Sequence, residues 1–175
     1  MARILIVYST TDGHTLRICD RLRGILEAQA HQVRLVPVDE AADSELEQYD
    51  TIVVGASIRY GKHRPAVVDF IGRNAAVLNR KASAFFSVNV VARKPGKNQP
   101  HTNPYVRRLL RSISWRPREV GVFAGRIDYP RYDAVDRMII RFIMWLTGGP
   151  TDPRAVVEFT DWRQVEAFGG LIARM

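Results

Sequence analysis

The chain has 175 residues, of which 46% are hydrophobic and 25% charged, and this composition excludes collagen-like, disordered and low-complexity proteins. Its one cysteine, Cys19, excludes a disulfide framework and a cysteine-based zinc site, and we expect no metal centre. Because the sequence has neither a run of about 20 apolar residues nor a signal-peptide cleavage site, we expect a single domain, residues 1–175, without a transmembrane helix or signal peptide.

Predicted strands and helices alternate along the chain. The apolar runs predict strands at Arg3–Tyr8, Gln32–Val38, Thr51–Ala56, Ala82–Asn89 and Val120–Ala124, with Ala155–Phe159 as a further strand or the continuation of the last one. Apolar residues at helical spacing predict helices at Thr15–Ala30, Arg64–Leu78 and Asp161–Ala173, the last with Thr160 as its N-cap, and the acidic stretch Asp39–Asp50 predicts a loop or short helix. This alternation is typical of a doubly wound α/β domain with a parallel sheet.

Two segments interrupt the alternation. One is a basic insert of about residues 90–117, and the other spans about residues 125–153 and contains an apolar helix, Asp133–Leu146. Both follow strand ends, where open α/β sheets bind their ligands.

The positive charge is concentrated in the middle of the chain. The net charge is +8 overall, but residues 51–118 carry 14 basic residues and one acidic residue, whereas residues 1–50 have a net charge of −4 and residues 119–175 of −1. A preference for arginine codons explains why 22 of the 26 basic residues are arginine but not why they cluster. The cluster predicts an anionic partner, with nucleic acid, anionic lipid and a polycarboxylate substrate as the alternatives.

The loop after the first strand has the composition of an anion site. Tyr8-Ser9-Thr10-Thr11-Asp12-Gly13-His14-Thr15 joins an apolar strand to a helix, so hydroxyls and free backbone N–H groups meet at a helix N-terminus. It matches neither the dinucleotide fingerprint nor an ATPase P-loop, because Gly13 is its only glycine and no lysine follows. Neutral donors in this arrangement favour a phosphate monoester.

This loop resembles the phosphate loop of flavodoxins. The resemblance implies an FMN cofactor whose phosphate lies on Thr10 to Thr15, with Asp12 turning its carboxylate outward and His14 acting as a loop donor. It also implies a five-stranded parallel sheet in the order 2-1-3-4-5. Two later loops, at residues 55–63 and 87–95, would border the flavin ring. The implied cofactor-binding residues are Ser9, Thr10, Thr11, Asp12, Gly13, His14, Thr15, Ala56, Ser57, Ile58, Arg59, Tyr60, Ser87, Val88, Asn89 and Val90.

Further loop motifs resemble one family in particular, the bacterial flavodoxin-like, quinone-dependent protoporphyrinogen oxidases. The motifs are Gly55-Ala56-Ser57-Ile58-Arg59-Tyr60-Gly61, Ser87–Pro95, Trp115-Arg116-Pro117, Tyr129-Pro130-Arg131-Tyr132, Asp136-Arg137, Gly148-Gly149 and Thr160-Asp161-Trp162. Because shared loop residues reflect a site more than shared core residues do, the family is a specific match.

This resemblance implies the reaction and its partners. FMN would pass electrons from protoporphyrinogen IX to a respiratory quinone, menaquinone or ubiquinone, on the cytoplasmic side of the inner membrane. It also implies a helical insert that splits the last strand. Catalytic residues are not identified by the motifs, and Arg59, Tyr60, His63 and Arg93 are candidates for substrate contact.

The helix Asp133–Leu146 carries more apolar surface than one domain face requires. Asp133, Asp136, Arg137 and Arg141 share one arc, while seven apolar side chains fill the opposite arc. The excess predicts a second contact with an anionic membrane surface, quinone, porphyrinogen or another copy of the chain, and the alternative is a helix buried between the sheet edge and the basic insert.

Four other functions fit parts of the sequence. An electron-carrier flavodoxin would share the fold, but such carriers are usually acidic. An NAD(P)H:quinone reductase is the nearer alternative enzyme. A basic nucleic-acid-binding module is the non-enzyme alternative, although no recognition-helix or RNP signature occurs and we expect no nucleic acid partner. A phosphorelay receiver is disfavoured because the first loop lacks an acidic pair.

Overall fold

The computed structural model describes every residue from Met1 to Met175. The elements in chain order are β1 (Arg3–Ser9), α1 (His14–Glu27), β2 (Gln32–Pro37), β3 (Thr51–Arg59), β4 (Lys62–His63), α2 (Pro65–Arg80), β5 (Ala82–Val88), α3 (Pro104–Ser112), β6 (Glu119–Phe123), β7 (Arg126–Asp128), α4 (Ala134–Thr147), β8 (Val156–Glu158) and α5 (Trp162–Ala173). The acidic stretch after β2 forms two short 3₁₀ turns rather than an α-helix.

The main sheet has six strands, and its order differs from the prediction. Five parallel strands run in the order β2-β1-β3-β5-β6, and β4 pairs antiparallel with β3 beside this path. The predicted five-stranded sheet with the order 2-1-3-4-5 is therefore wrong as stated, because it lacks β4 and numbers β5 and β6 as the fourth and fifth strands. The missed strand has only two residues, too few to produce a periodic pattern.

The strand that was missed is half of a tight hairpin. Arg59 pairs with Lys62, and the two residues between them, Tyr60 and Gly61, both have positive φ angles, 50° and 76°. Such turns usually carry Asn-Gly or Asp-Gly, so Tyr-Gly gives no clear hairpin signal. A left-handed conformation costs a non-glycine residue roughly 1 kcal/mol, and the hairpin pairing holds Tyr60 in it.

Helices cover both faces of the sheet. One core packs α2 and α3 against the sheet through Phe70, Phe85 and Trp115, and the other packs α1 and α5 through Phe86 and Phe168. Cys19 is fully buried in the second core. The arrangement leaves the carboxyl ends of the parallel strands free for loops.

The predicted split of the last strand is also wrong. Strand β6 ends at Phe123, and Val156–Glu158 pairs antiparallel with Arg126–Asp128 in a separate two-stranded sheet. Strand β8 is therefore not a continuation of β6. Helix α4 lies between β7 and β8, so the second insert is a β-α-β unit attached beside the main sheet.

The basic insert contains a helix that the sequence analysis missed. Asn103 caps α3 by accepting hydrogen bonds from the N–H groups of Tyr105 and Val106 at 3.2 and 3.3 Å, and Pro104 occupies the first turn. The final helix is capped by Asp161 rather than Thr160. None of the helices combines the length and the apolar character that crossing a bilayer requires.

Candidate functional site

The first loop closes tightly between β1 and α1. The N–H of Gly13 donates to the hydroxyl of Thr10 at 3.0 Å, and Gly13 has a φ of 81°, a conformation that favours glycine. Gly13 caps α1 without any side-chain hydrogen bond. The first N–H groups of the helix therefore remain available to a ligand at the loop.

Two buried polar atoms at this helix end have no hydrogen-bond partner, namely Thr15 Oγ1 and His14 Nδ1. An unpaired buried polar group costs about 1–3 kcal/mol. The hydroxyl of Thr15 can donate to a phosphate oxygen, as can the neighbouring N–H groups, so the residues present fit the phosphate end of FMN.

The other ring nitrogen of His14, Nε2, has a hydrogen-bond partner. Its Nε2 lies 2.6 Å from the hydroxyl of Thr160, which donates to the carbonyl of Ala124 at 2.7 Å. Since that hydroxyl proton is used, Nε2–H is the donor to Thr160. Burial lowers the pKa of His14, which favours the neutral ring.

Arg59 is held between two carboxylates from different parts of the chain. It donates to Asp12 in the first loop at 3.2 Å and forms an ion pair with Asp136 in the first turn of α4. Its guanidinium also lies 5.4 Å from the ring centre of Tyr60 and 5.7 Å from that of Tyr132. The carboxylate of Asp12 is thus held by Arg59.

Tyr60 also contacts Asp136, one of the two partners of Arg59. Its hydroxyl donates to Asp136, and this hydrogen bond raises the pKa of Tyr60. Tyr60 as a whole remains 58% exposed, so it presents an aromatic side chain to solvent beside the cleft.

A buried chain of polar side chains supports the loop after β5. The amide of Asn89 donates to Ser87 Oγ at 3.2 Å, and the side chain of Asn103 donates to Asn89 Oδ1 at 3.0 Å. Asn89 Oδ1 also accepts from the N–H of Ala92 at 3.1 Å. The network fixes the start of the basic insert at the carboxyl edge of the sheet.

Most of the predicted cofactor residues line one cleft at this edge. These are Thr10, Thr11, Asp12, His14, Thr15, Ser57, Ile58, Arg59, Val88, Asn89 and Val90. The remaining ones are placed around it: Ser9, Ala56 and Ser87 are buried behind the lining, Gly13 lies in the adjoining depression, and Tyr60 stands at the hairpin apex.

The second insert adds cleft residues that the sequence analysis did not assign. They are Gly125, Arg126, Asp128, Arg131 and Tyr132. The available signal was the Tyr129-Pro130-Arg131-Tyr132 motif, which marked this segment without indicating that it reaches the first loop.

Two candidate substrate contacts lie outside the cleft. His63 is buried, with Nε2 3.0 Å from Ser87 Oγ, and burial lowers its pKa to about 4, so it is neutral at pH 7. Arg93 joins the inserts, donating to the carbonyl of Val90 at 3.0 Å and to the carbonyl of Thr147 at 3.1 Å. Both side chains are engaged in the protein's own contacts.

The charged arc of helix α4 faces the rest of the protein. Asp136 is buried beside its partner Arg59. Arg137 donates to the carbonyls of Tyr129 and Tyr132 at 3.2 and 3.0 Å. The apolar arc faces outward. Its exposed members are Val135, Met138, Phe142, Ile143, Trp145 and Leu146. The alternative of a helix buried between the sheet edge and the basic insert is therefore wrong.

Comparison with known sequences gives two kinds of match. Residues 5–154 match the sequence profile described as the flavodoxin domain. The chain is 43% identical over 173 residues to the protoporphyrinogen IX dehydrogenase (quinone) of Escherichia coli (strain K12), covering 99% of this chain and 96% of that protein. It is 41% identical over 174 residues to the Leishmania major protein of the same name, covering 99% of this chain and 75% of that protein.

Solved structures with the same fold include flavodoxins. The solution structure of two-electron-reduced Megasphaera elsdenii flavodoxin superposes with a TM-score of 0.60 at 13% identity, covering 98% of this chain and 99% of that one. Oxidised Flavodoxin 1 from Bacillus cereus gives a TM-score of 0.58 at 17% identity, covering 98% and 97%. These structural similarities show the fold, and the sequence matches show the family to which the chain belongs.

Proposed function

The chain belongs to the flavodoxin family and, within it, to the quinone-linked protoporphyrinogen IX dehydrogenases, and on this basis we propose that it oxidises protoporphyrinogen IX to protoporphyrin IX. The reaction is a step of haem biosynthesis, its cofactor is FMN and its electron acceptor is a quinone. FMN, when bound, supplies the two-electron redox chemistry that connects the two substrates. The protein binds and orients the reactants.

The full-length match to the Escherichia coli enzyme carries this conclusion. It covers 99% of the chain and so includes both inserts as well as the flavodoxin core. The cleft is consistent with it, because residues of the second insert and of the flavodoxin loops line the same space.

We assign the phosphate of FMN to residues 9–15 and the flavin ring to the space between the loops at residues 56–60 and 87–90. Support comes from the unpaired hydroxyl of Thr15 and from the uncapped N-terminus of α1. Arg59 and Tyr60 flank this space and are positioned to meet substrate. We treat residues 1–175 as one domain, since the second insert shares Arg59 with the flavodoxin loops.

We further propose that the outer face of α4 lies on an anionic membrane surface, on the cytoplasmic side of the inner membrane. Six exposed apolar side chains on one helix would insert at the lipid boundary, and the excess of basic charge would favour anionic headgroups. This placement gives the enzyme access to a lipid-soluble quinone, menaquinone or ubiquinone. The alternative is that a second copy of the chain binds to this face of α4.

The proposed function is tested by purifying the protein, identifying the released flavin and assaying it anaerobically with protoporphyrinogen IX and a quinone. We expect FMN and quinone-dependent formation of protoporphyrin. Turnover of NAD(P)H with quinone but not of porphyrinogen would indicate a quinone reductase instead. A flavin-free protein that binds DNA in a salt-sensitive manner would indicate a nucleic-acid-binding module.

A further inference from the structure

A second cavity is lined by β4 and the turn before it, whereas residues of β3 line the cofactor cleft. It is a groove of about 310 Å³ between α2 and α3, and it shares no lining residue with the cleft. Its lining residues are Gly61, Lys62, His63, Pro65, Val68, Asp69, Tyr105, Arg108, Leu109 and Ser112. Arg59 lines the cleft, whereas Lys62, its pairing partner in the hairpin, lines the groove.

The groove has an apolar floor and a cationic mouth. Val68 and Leu109 lie along the floor, and Lys62 and Arg108 are exposed beside it. Neither cation forms a salt bridge, whereas Arg73 on the neighbouring helix α2 pairs with Asp43. The one carboxylate in the lining, Asp69, also forms no salt bridge, so the groove carries two positive charges and one negative charge.

Arg108 is tied to the hairpin itself. Its Nη1 donates to the carbonyl of Gly61 at 3.4 Å, a long bond that leaves the other guanidinium N–H groups free. Arg107 and Arg111 on the same helix are also without carboxylate partners, so the whole outer face of α3 is positive. An apolar slot bounded by unpaired cations fits a ligand that joins an apolar ring to a carboxylate.

We propose that this groove binds a propionate-bearing edge of the tetrapyrrole, with Lys62 and Arg108 holding the carboxylate. The inference rests on the proposed function, which supplies a substrate of this chemistry. A volume of about 310 Å³ suits one pyrrole edge and leaves the rest of the macrocycle outside, across the hairpin. The exposed ring of Tyr60 at the hairpin apex then offers an aromatic surface to that part, on the way to the cofactor cleft.

The experiment titrates the FMN-loaded protein with protoporphyrin IX and follows its Soret band. The test variants are Arg108→Gln and Lys62→Gln, and Arg107→Gln is the control because it removes the same charge from α3 without lining the groove. The side chain of Lys62 makes no hydrogen bond, so its replacement leaves the backbone pairing of the hairpin intact. We expect about a tenfold loss of affinity in each test variant and less than about a twofold loss in the control.

A second ligand separates carboxylate binding from binding of the ring. Protoporphyrin IX dimethyl ester lacks the charges, and we expect it to bind wild type and the Arg108→Gln variant equally. Equal protoporphyrin affinity in wild type and both test variants would overturn the assignment, as would an equal loss in Arg107→Gln, which would indicate a diffuse field. Loss of anionic-vesicle binding in Arg108→Gln with unchanged porphyrin affinity would overturn it too, in favour of a lipid headgroup.

FMN content and quinone-dependent turnover of the wild type report on the proposed function independently. If both are present and the variants bind porphyrin normally, only the groove assignment fails. If the wild type neither retains FMN nor turns over porphyrinogen, the proposed function fails first.

Discussion

Arg59, at the end of β3, forms an ion pair with Asp136, in the first turn of the inserted helix α4. The two residues are 77 positions apart in the chain. The side chains of both are largely buried, with 20% and 12% of their surfaces exposed, so this pair is screened less than a surface pair. The contact fixes the insert against the loop that borders the cofactor space.

Neutralising Asp136 should therefore change the cofactor's environment. In Asp136→Asn, Arg59 keeps only Asp12 as a carboxylate partner, so the positive charge near the flavin is less compensated. We expect the midpoint potential of bound FMN to rise, because added positive charge favours the reduced cofactor, and porphyrinogen turnover to fall by roughly tenfold. Spectroelectrochemical titration measures the potential.

The matched control for this variant is Asp152→Asn. Asp152 lies in the same insert, is exposed, and its side chain bonds only to the nearby N–H of Arg154. We expect it to leave the potential unchanged. An equal shift in both variants would show that net charge, rather than the contact with Arg59, sets the potential.

Thr15→Ala should weaken FMN binding by roughly tenfold, since a hydrogen bond to a charged phosphate contributes about 1.5–3 kcal/mol. The unfolding free energy of the apoprotein should change by less, about 1 kcal/mol, because Oγ1 has no partner within the chain. Thr15→Ser keeps the hydroxyl and should retain FMN. Unchanged FMN affinity in the alanine variant, measured by fluorescence titration, would count against the assigned phosphate loop.

Phe142→Glu tests the outward apolar face of α4. Phe142 is 58% exposed, so the change should not disturb the core, but it places a charge where we expect lipid. We predict a severalfold higher KM for a lipid-soluble quinone and weaker sedimentation with anionic vesicles, while FMN affinity stays at the wild-type value. Phe142→Leu serves as the apolar control. Wild-type quinone kinetics in the glutamate variant would remove the proposed role of this face.

Buried His63 predicts a pH dependence of stability. Its pKa is about 4 in the folded protein against an ordinary 6.5, so the unfolded chain binds the proton more readily. The contribution to stability is complete above pH 6.5 and is lost as the pH falls toward 4, by roughly 3 kcal/mol in all. In urea unfolding at several pH values, His63→Gln should show a shallower decline than wild type. The same decline in both proteins would mean that other groups cause it. The control is His101→Gln, which replaces an exposed histidine and should decline as wild type does.

The sequence predicted well those parts of the fold that local patterns determine. The strands of the parallel sheet and the loop at residues 9–15 follow from apolar runs and from hydroxyl donors at a helix start. Helix α3 was not predicted because charged residues dominate its segment, although Asn103-Pro104 is a capping signal. The two-residue strand β4 gave no periodicity to detect.

The features that the sequence could not predict arise from how elements pack. A helical projection shows that Asp136 and Arg137 share an arc of α4, but not that this arc faces inward and leaves Phe142 outside. Likewise, the separate β7–β8 sheet depends on pairing between distant segments. The partners of Arg59 come from the first loop and the second insert, so only the assembled fold brings them together.

The most direct test of the account is the stoichiometry of the anaerobic reaction with the FMN-loaded protein. Protoporphyrinogen IX and a quinone are mixed with catalytic protein, and protoporphyrin fluorescence and quinol are measured together. Oxidation in three two-electron steps predicts three quinols for each protoporphyrin, with none formed when the flavin is removed. Protoporphyrin formation that is independent of quinone or of FMN would contradict the account.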